Sequence, residues 1–304
     1  MFEFNEFISL VQDGLGCETI VKIVHKNNGV NLHGISKVRP DSWKEPVIYL
    51  DGYYSQYKEG MSIEEIISDL LEIWRTTEVP DFAGLDCTDF EAMKGKVMFK
   101  VINREKNMEQ LQEKPHIEFL DLAVVFYLFI GSDSAGRMTA DISYAMMDTW
   151  KTDVPTLLEL AMKNTKKLDF IRVVRLQDAI WEIAFAELEL LAERREMLQE
   201  MEEDFPMLML TSQSGIYGAA MMLYTEVLKD IADSVGMDLI VIPSSVHEVL
   251  IMPDAERSEE DIKDIKKMVH TINTENVAVE DVLSDNVYMF KRGTGKLEIV
   301  QVGE

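Results

Sequence analysis

Hydrophobic positions along the chain recur with two periods, and each change of period marks an element. Over residues 62–74, Ile63, Ile66, Ile67, Leu70, Leu71 and Trp74 return every three or four positions, which places them on one face of a helix. Ser62 and Glu65 open that stretch with a capping box, in which hydroxyl and carboxylate each satisfy a free backbone donor. Residues 5–15 predict a shorter amphipathic helix that stops near Gly14 and Gly16. Residues 19–24 and 30–38 follow the alternating, β-branched style of strands, and Asn27-Asn28-Gly29 between them suits the positive φ of a hairpin turn. Residues 47–50 predict a third strand, and 51–60 a turn with one or two helical turns.

Further on, residues 97–101 and the unusually apolar 117–130 predict strands, the second of them central, with a charged helical segment at 105–112 between them. A turn at 131–136 leads to a strand at 138–143, then helices at 144–150 and 155–163. Thr152 or Asp153 caps the second of these, and Pro155 fits its first turn, where the missing N–H costs nothing. Residues 176–203 predict one long helix with Leu176, Ile180, Ile183, Leu190, Met197 and Met201 on one side. Residues 205–254 hold the densest punctuation. Three apolar runs (207–210, 239–242, 249–252) are separated by a polar turn at 211–215, an apolar and helical stretch, and a Pro243-Ser244-Ser245 break. Ser258 with Asp261 starts a helix to about Asn273, with Ile262, Ile265, Met268, Val269 and Ile272 as its apolar face. A helical turn at 279–283 and a hairpin of 287–291 with 296–300 close the pattern. Hairpin strands with clustered helices predict an α+β fold of mainly antiparallel sheets. Two closely associated lobes are expected, at 1–165 and 205–304, bridged by a long helix at 166–204.

Composition narrows the function classes. With 304 residues, 47% hydrophobic, and only 8 Pro and 16 Gly, the chain can bury a proper core. A formal net charge of −25 repels nucleic-acid phosphates and anionic membranes. It leaves a basic protein partner, or a surface that imitates nucleic acid. Cys17 and Cys87 are too few for a disulfide framework or a structural zinc site. The first residues lack a basic leader, and the longest apolar run, 122–130, is far short of the ~20 residues of a membrane helix. A cytoplasmic protein with no membrane contact is expected.

Several stretches carry the likeness to known sequences. They are GVNLHG (29–34) and YLDGYYSQYKEG (49–60), then SGIYGAA (214–220), Leu223-Tyr224 and IPSSVHEVL (242–250), and lastly LSDNVY (283–288). Together they resemble a domain-of-unknown-function family of bacterial proteins found mainly in Gram-positive gut anaerobes. The acidic stretch 187–204 matches none of its patterns. The C-terminal third is also similar to a second such Gram-positive family. Neither resemblance implies an activity, a cofactor or a catalytic residue.

Candidate chemistry gathers in residues 205–254. Ser244, Ser245, His247 and Glu248 suggest a nucleophile and base. On an extended strand, however, Ser245 and His247 would stand about 7 Å apart, given a rise of ~3.3 Å per residue. A working pair needs ~2.6–3.2 Å. The 211–218 turn has the setting of a phosphate loop but lacks its Lys-Ser/Thr and has only two glycines of a dinucleotide fingerprint. His25, His33, His116, His247 and His270 show no metal spacing, although His25 and His33 suit cross-strand neighbours. Asp51 reads as a turn cap, and Met207, Met209, Met221 and Met222 as core. A non-enzymatic binding or interaction protein is expected, with no cofactor and no metal. Ser212, Ser214, Gly215, Ser244, Ser245 and His247 are its ligand-binding candidates. Glu189, Glu193, Glu196, Glu200 and Glu203 form an acidic stripe for a basic protein partner. The alternatives are a hydrolase using 211–218 with 243–248, and an acidic nucleic-acid mimic.

Overall fold

The computed structural model describes residues 1–16, 18–37, 47–76, 86–133, 136–180 and 207–301. The chain is α+β and folds as two compact units. The first comprises Met1–Leu85 with Asp133–Gly136, the second Asp86–Ser132 with Arg137–Glu304. Both of the stretches expected as lobes, 1–165 and 205–304, contribute to the second unit.

In the first unit, helix α1 (Phe4–Leu15) precedes the hairpin of β1 (Thr19–His25) and β2 (Asn31–Lys37), and Asn28 and Gly29 take the positive φ that its turn requires. The short β3 (Ile48–Tyr49) completes an antiparallel sheet in the order β1-β2-β3. The strand expected over 47–50 gives way at Leu50, because that side chain is fully buried as the first residue of α2 (Leu50–Lys58). Helix α3 (Ile63–Thr76) starts at the Ser62–Glu65 capping box, with both reciprocal hydrogen bonds formed. Its buried stripe is Ile66, Leu70 and Trp74, which join Phe7, Val11, Ile35 and Leu50 in one core. Leu71, expected on that face, is exposed.

The second unit holds two sheets. In the first, β4 (Val97–Asn103) and β5 (His116–Phe119) both pair antiparallel with β6 (Leu122–Asp133), which also pairs with β7 (Gly136–Asp141). The single strand expected over 117–130 is thus two strands folded back at Leu120, which sits at φ +56°. A distant polar group imposes that turn. Asp121 accepts hydrogen bonds from the Ser284 hydroxyl, the Asn286 amide and the Tyr288 hydroxyl. Short helices α4 (Phe90–Met93) and α5 (Met108–Leu111) flank β4, and α6 (Tyr144–Trp150) leads to α7 (Val154–Leu168), capped by Asp153. The Asn164 side chain of α7 donates to the carbonyls of Lys94 and Val97, fixing the helix on β4.

The second sheet has six antiparallel strands. Its strands are β8 (Ile171–Arg175), β9 (Leu208–Ser212), β10 (Leu239–Ile242), β11 (Glu248–Pro253), β12 (Tyr288–Lys291) and β13 (Lys296–Ile299), in the order β13-β12-β10-β11-β9-β8. The strand β8 was not expected. It runs directly into helical residues 176–180, and the rest of the expected long helix lies outside the described residues. Helices α8 (Thr225–Val235) and α9 (Glu259–Glu275) complete the unit, α9 opening on the Ser258–Asp261 capping box. Of the expected apolar face of α9, Ile262 and Val269 are buried while Met268 and Ile272 are exposed. Asn273 takes a buried place on that helix, donating to the Ser284 carbonyl and the Asp285 carboxylate.

All four side chains of β10 are buried, so Leu239→Ala should lower stability by ~2–5 kcal/mol. Leu250→Ala, at a half-buried position, should cost less. Asp121→Ala leaves three buried-side donors without their acceptor, at ~1–3 kcal/mol for each one stranded. Urea midpoints of the three variants check the ranking, and unchanged midpoints for Leu239→Ala and Asp121→Ala would refute it.

Candidate ligand-binding site

The alternation of β4 and β6 builds the floor of a polar site in the second unit. Val97, Phe99 and Val101 share one face with Val124, Phe126 and Leu128, and all six are buried. On the other face Met98 lies opposite Tyr127, Lys100 opposite Val125 and Ile102 opposite Ala123. That face is apolar at its Ile102 end and polar at its Lys100 end. The neighbouring strand β7 adds Arg137 and Asp141, four residues apart. Lys100 Nζ lies 2.8 Å from Asp141 Oδ1, and Lys114 Nζ lies 2.7 Å from Asp141 Oδ2. Lys114 also donates to Gln110 Oε1 at 2.8 Å.

The turn after β9 closes over this floor. Asp169, just before β8, accepts from the Ser214 backbone N–H at 2.9 Å, the Ser214 hydroxyl at 2.7 Å and Arg137 at 2.8 Å. Arg137 and Asp169 form a buried pair, and Arg137 also packs over the Phe129 ring. Gly215 turns the chain at φ +70°, and Tyr217 follows at φ +57°, a left-handed conformation unusual for a bulky side chain. Such backbone costs on the order of 1–3 kcal/mol and persists only where its surroundings hold it. Here the Tyr217 ring meets Tyr127 edge-on at 5.5 Å and stacks with His247 at 6.1 Å. Lys100 Nζ lies 4.8 Å from its centre. At Gly218 a Cβ would overlap the Thr211 hydroxyl, the His247 carbonyl and the Ser212 nitrogen, so only glycine lets these backbones touch.

The 243–247 segment, where the Pro243-Ser244-Ser245 break was expected, is bent, and β11 begins at Glu248. The Ser245 hydroxyl donates to Glu248 Oε1 at 2.7 Å and accepts from the His247 backbone N–H at 2.9 Å. His247 Nδ1 accepts from the Tyr217 N–H at 3.3 Å. Its proton therefore sits on Nε2, which lies 3.3 Å from Asp281 Oδ1. Neither ring nitrogen addresses Ser245, and Glu248 takes the serine's only proton.

Electrostatics reinforce the cluster. Burial alone would raise the Asp141 carboxyl, but the charges and hydrogen bonds of Lys100 and Lys114 outweigh it and hold it down to about 2. Burial alone would lower Lys100, and Asp141 and Tyr217 outweigh that, leaving its pKa raised and the ammonium charged. The Tyr127 hydroxyl is pushed well up by burial, against the pull of the Arg137 charge.

The expected ligand residues fall into two groups. Ser212, Ser214 and Gly215 shape the Tyr217 loop, with the Ser212 hydroxyl donating to the Ile216 carbonyl. Ser244 is half-buried, and Ser245 and His247 are engaged as above. The loop and the bend do meet, through the Thr211 hydroxyl on the His247 carbonyl at 2.8 Å and through the Tyr217–His247 stack. Lys100, Lys114, Arg137, Asp141, Asp169 and Tyr217 were not singled out in the sequence. A charged residue inside the buried run VMFKVI was the available signal. Glu189, Glu193, Glu196, Glu200 and Glu203 lie outside the described residues.

In the first unit, Asp51 does not cap its own turn. Its carboxylate reaches β2, accepting from the His33 backbone N–H at 2.7 Å and lying 3.2 Å from His33 Nδ1. His25 is opposite Asn31 and His33 opposite Ile23, so the two histidines are not direct cross-strand neighbours. Met221 and Met222 are buried, while Met207 and Met209 are half-buried. Among the described residues no group of three His, Cys, Asp or Glu side chains is placed to hold a metal, and no helix is long and apolar enough to cross a membrane.

The chain is thus an α+β protein with a polar side-chain cluster roofed by a tyrosine loop. The chain belongs to a family of unknown function (DUF5688), whose model matches residues 4–292. No curated protein and no solved structure matches it.

Two measurements check the site's construction. Gly218→Ala should destabilise by ~1–3 kcal/mol or more, because rigid backbone atoms meet the new methyl; an unchanged denaturation midpoint would contradict the close approach. Because the folded-state value of Asp141 is depressed, its contribution is present above the ordinary carboxylate range and is lost as pH falls towards about 2. Asp141→Asn should therefore flatten the acid limb of the stability curve below pH ~4.

Proposed function

We propose that the chain is a binding protein whose second unit holds a small molecule beneath the Tyr217 loop, and that it acts without hydrolysis. The observation that carries this reading is how Ser245 and His247 are engaged. The serine proton goes to Glu248, while both imidazole nitrogens are taken by Tyr217 and Asp281. A nucleophile needs a base within ~2.6–3.2 Å to be activated. The strained Tyr217, packed between Tyr127, Lys100 and His247, supports a binding role. The acidic composition and the family resemblance support a bacterial, cytoplasmic setting for it.

A serine-reactive fluorophosphonate should leave the native protein unlabelled. Stoichiometric labelling at Ser244 or Ser245, abolished by His247→Ala, would favour the hydrolase. Thermal-shift screening against neutral, cationic and anionic metabolites should find stabilising ligands, and Tyr217→Asn should lose them. Asparagine is chosen because it accepts left-handed backbone.

A second reading rests on charge alone. Glu189, Glu193, Glu196, Glu200 and Glu203 step by four, three, four and three, so on a helix they form one narrow stripe. We propose that this stripe engages a basic protein. Exposed charges are screened over ~8 Å at physiological salt, so capture should fail both at high salt and when all five become glutamine. Identical sets of proteins captured by both versions would end the idea.

A further inference from the structure

We infer that the ligand of this site carries a carboxylate, held by the ammonium groups of Lys100 and Lys114. The inference rests on the binding reading above and names its chemistry. Two cations share one carboxylate here: each lysine lies on a different oxygen of Asp141. The lysine side chains are only 13% and 20% exposed. Their other partners among the described residues are neutral, namely Gln110 on Lys114, and the Tyr127 and Tyr217 rings on Lys100. The neighbouring cation Arg137 is already matched by Asp169, and His247, with Nδ1 accepting from Tyr217, adds no charge. Around Asp141 itself two ammonium groups thus face one carboxylate, in a place partly removed from water.

The second ammonium is expensive to bury without a counter-ion. The protein's net charge of −25 does not supply one, since surface carboxylates more than ~8 Å away are largely screened. Each ammonium has three donors; Lys114 gives one to Asp141 and one to Gln110, and Lys100 gives one to Asp141. The half-exposed Asp141 marks the open side from which a ligand reaches both lysines. One excess charge matches a carboxylate monoanion, whereas a phosphate dianion would overshoot it.

The alternative is that the lysines merely strap β7 to β4 and to the segment before β5. Lys114→Met separates the two. It leaves Lys100 and Asp141 as a balanced pair, so ligand-free melting should stay unchanged or rise; a strap would make it fall. Calorimetric titration of the full chain with acetate, benzoate and inorganic phosphate, each against sodium chloride at equal ionic strength, reads the ligand. Saturable binding of acetate or benzoate is expected, weakened on the order of tenfold or more in Lys114→Met. Lys100→Met should act likewise, and Asp141→Asn should tighten binding.

Saturation by phosphate alone would overturn the carboxylate assignment. Stabilisation by neutral or cationic compounds, lost in Tyr217→Asn and untouched by Lys114→Met, would overturn it while leaving the binding reading standing. Failure of every probe class in both experiments would remove both. A lower melting temperature for Lys114→Met, with no carboxylate binding to the parent protein, would return the lysines to a purely structural role.

Discussion

The close approach at Gly218 is the constraint on which the candidate site depends. Three neighbours, the Thr211 hydroxyl, the Ser212 nitrogen and the His247 carbonyl, occupy the space a side chain would need. Because the chain can pass there, the residue before it is driven into left-handed backbone, and the Tyr217 ring is delivered onto Tyr127 and Lys100. The same contact brings the bend after β10 under the loop, so that His247 stacks on the tyrosine from the other segment. Geometry at one α-carbon thus sets the relation between two stretches some thirty residues apart.

Two polar clamps tie together the sheets of the second unit. At one, Arg137 of the first sheet meets Asp169 and Ser214 beside the second. At the other, Asp121 in the β5–β6 turn is held by Ser284, Asn286 and Tyr288. Each carboxylate accepts several hydrogen bonds, the condition under which a charge away from water is tolerable. Both clamps also explain local conformation. Leu120 turns left-handed where Asp121 is gripped, and Ser214 begins the tight loop where Asp169 is gripped.

Elements with strong period or strong punctuation were legible in the sequence. The capping boxes at Ser62 and Ser258, the Asn28-Gly29 turn and the four-residue apolar run of β10 all reflect local chemistry, and all appear as expected. What failed was decided at a distance. The run from 117 to 130 looks continuous because the residues that break it lie beyond 280. Strand β8 was hidden because IRVVR runs straight into a helical pattern, with no turn residue between them. Asn273 was overlooked as a core residue because its amide is satisfied only by the chain at 284–285. Ser212, Ser214 and Ser245, expected as ligand-binding residues, hydrogen-bond within the fold to Ile216, Asp169 and Glu248, partners that no local pattern announces. The lysines escaped notice because single charges inside apolar runs carry no spacing signature. The pairing of motifs also became visible only in three dimensions: GVNLHG meets YLDGYY through His33 and Asp51, and SGIYGAA meets IPSSVHEVL through Tyr217 and His247.

The grip on Asp121 has a consequence for the order in which the chain can fold. Its three partners lie 163 to 167 residues further along, so they leave the ribosome long after it does. Until they arrive, the β5–β6 turn has no reason to hold its carboxylate away from water, and of the two clamps only Arg137–Asp169–Ser214 can pin the first sheet to the second. Contacts of such long sequence separation are slow to form, because a large loop must close before they repay the lost freedom. Closure of the second unit must therefore await nearly the whole chain, and over that interval the apolar strands of its first sheet are the surface most in need of a chaperone.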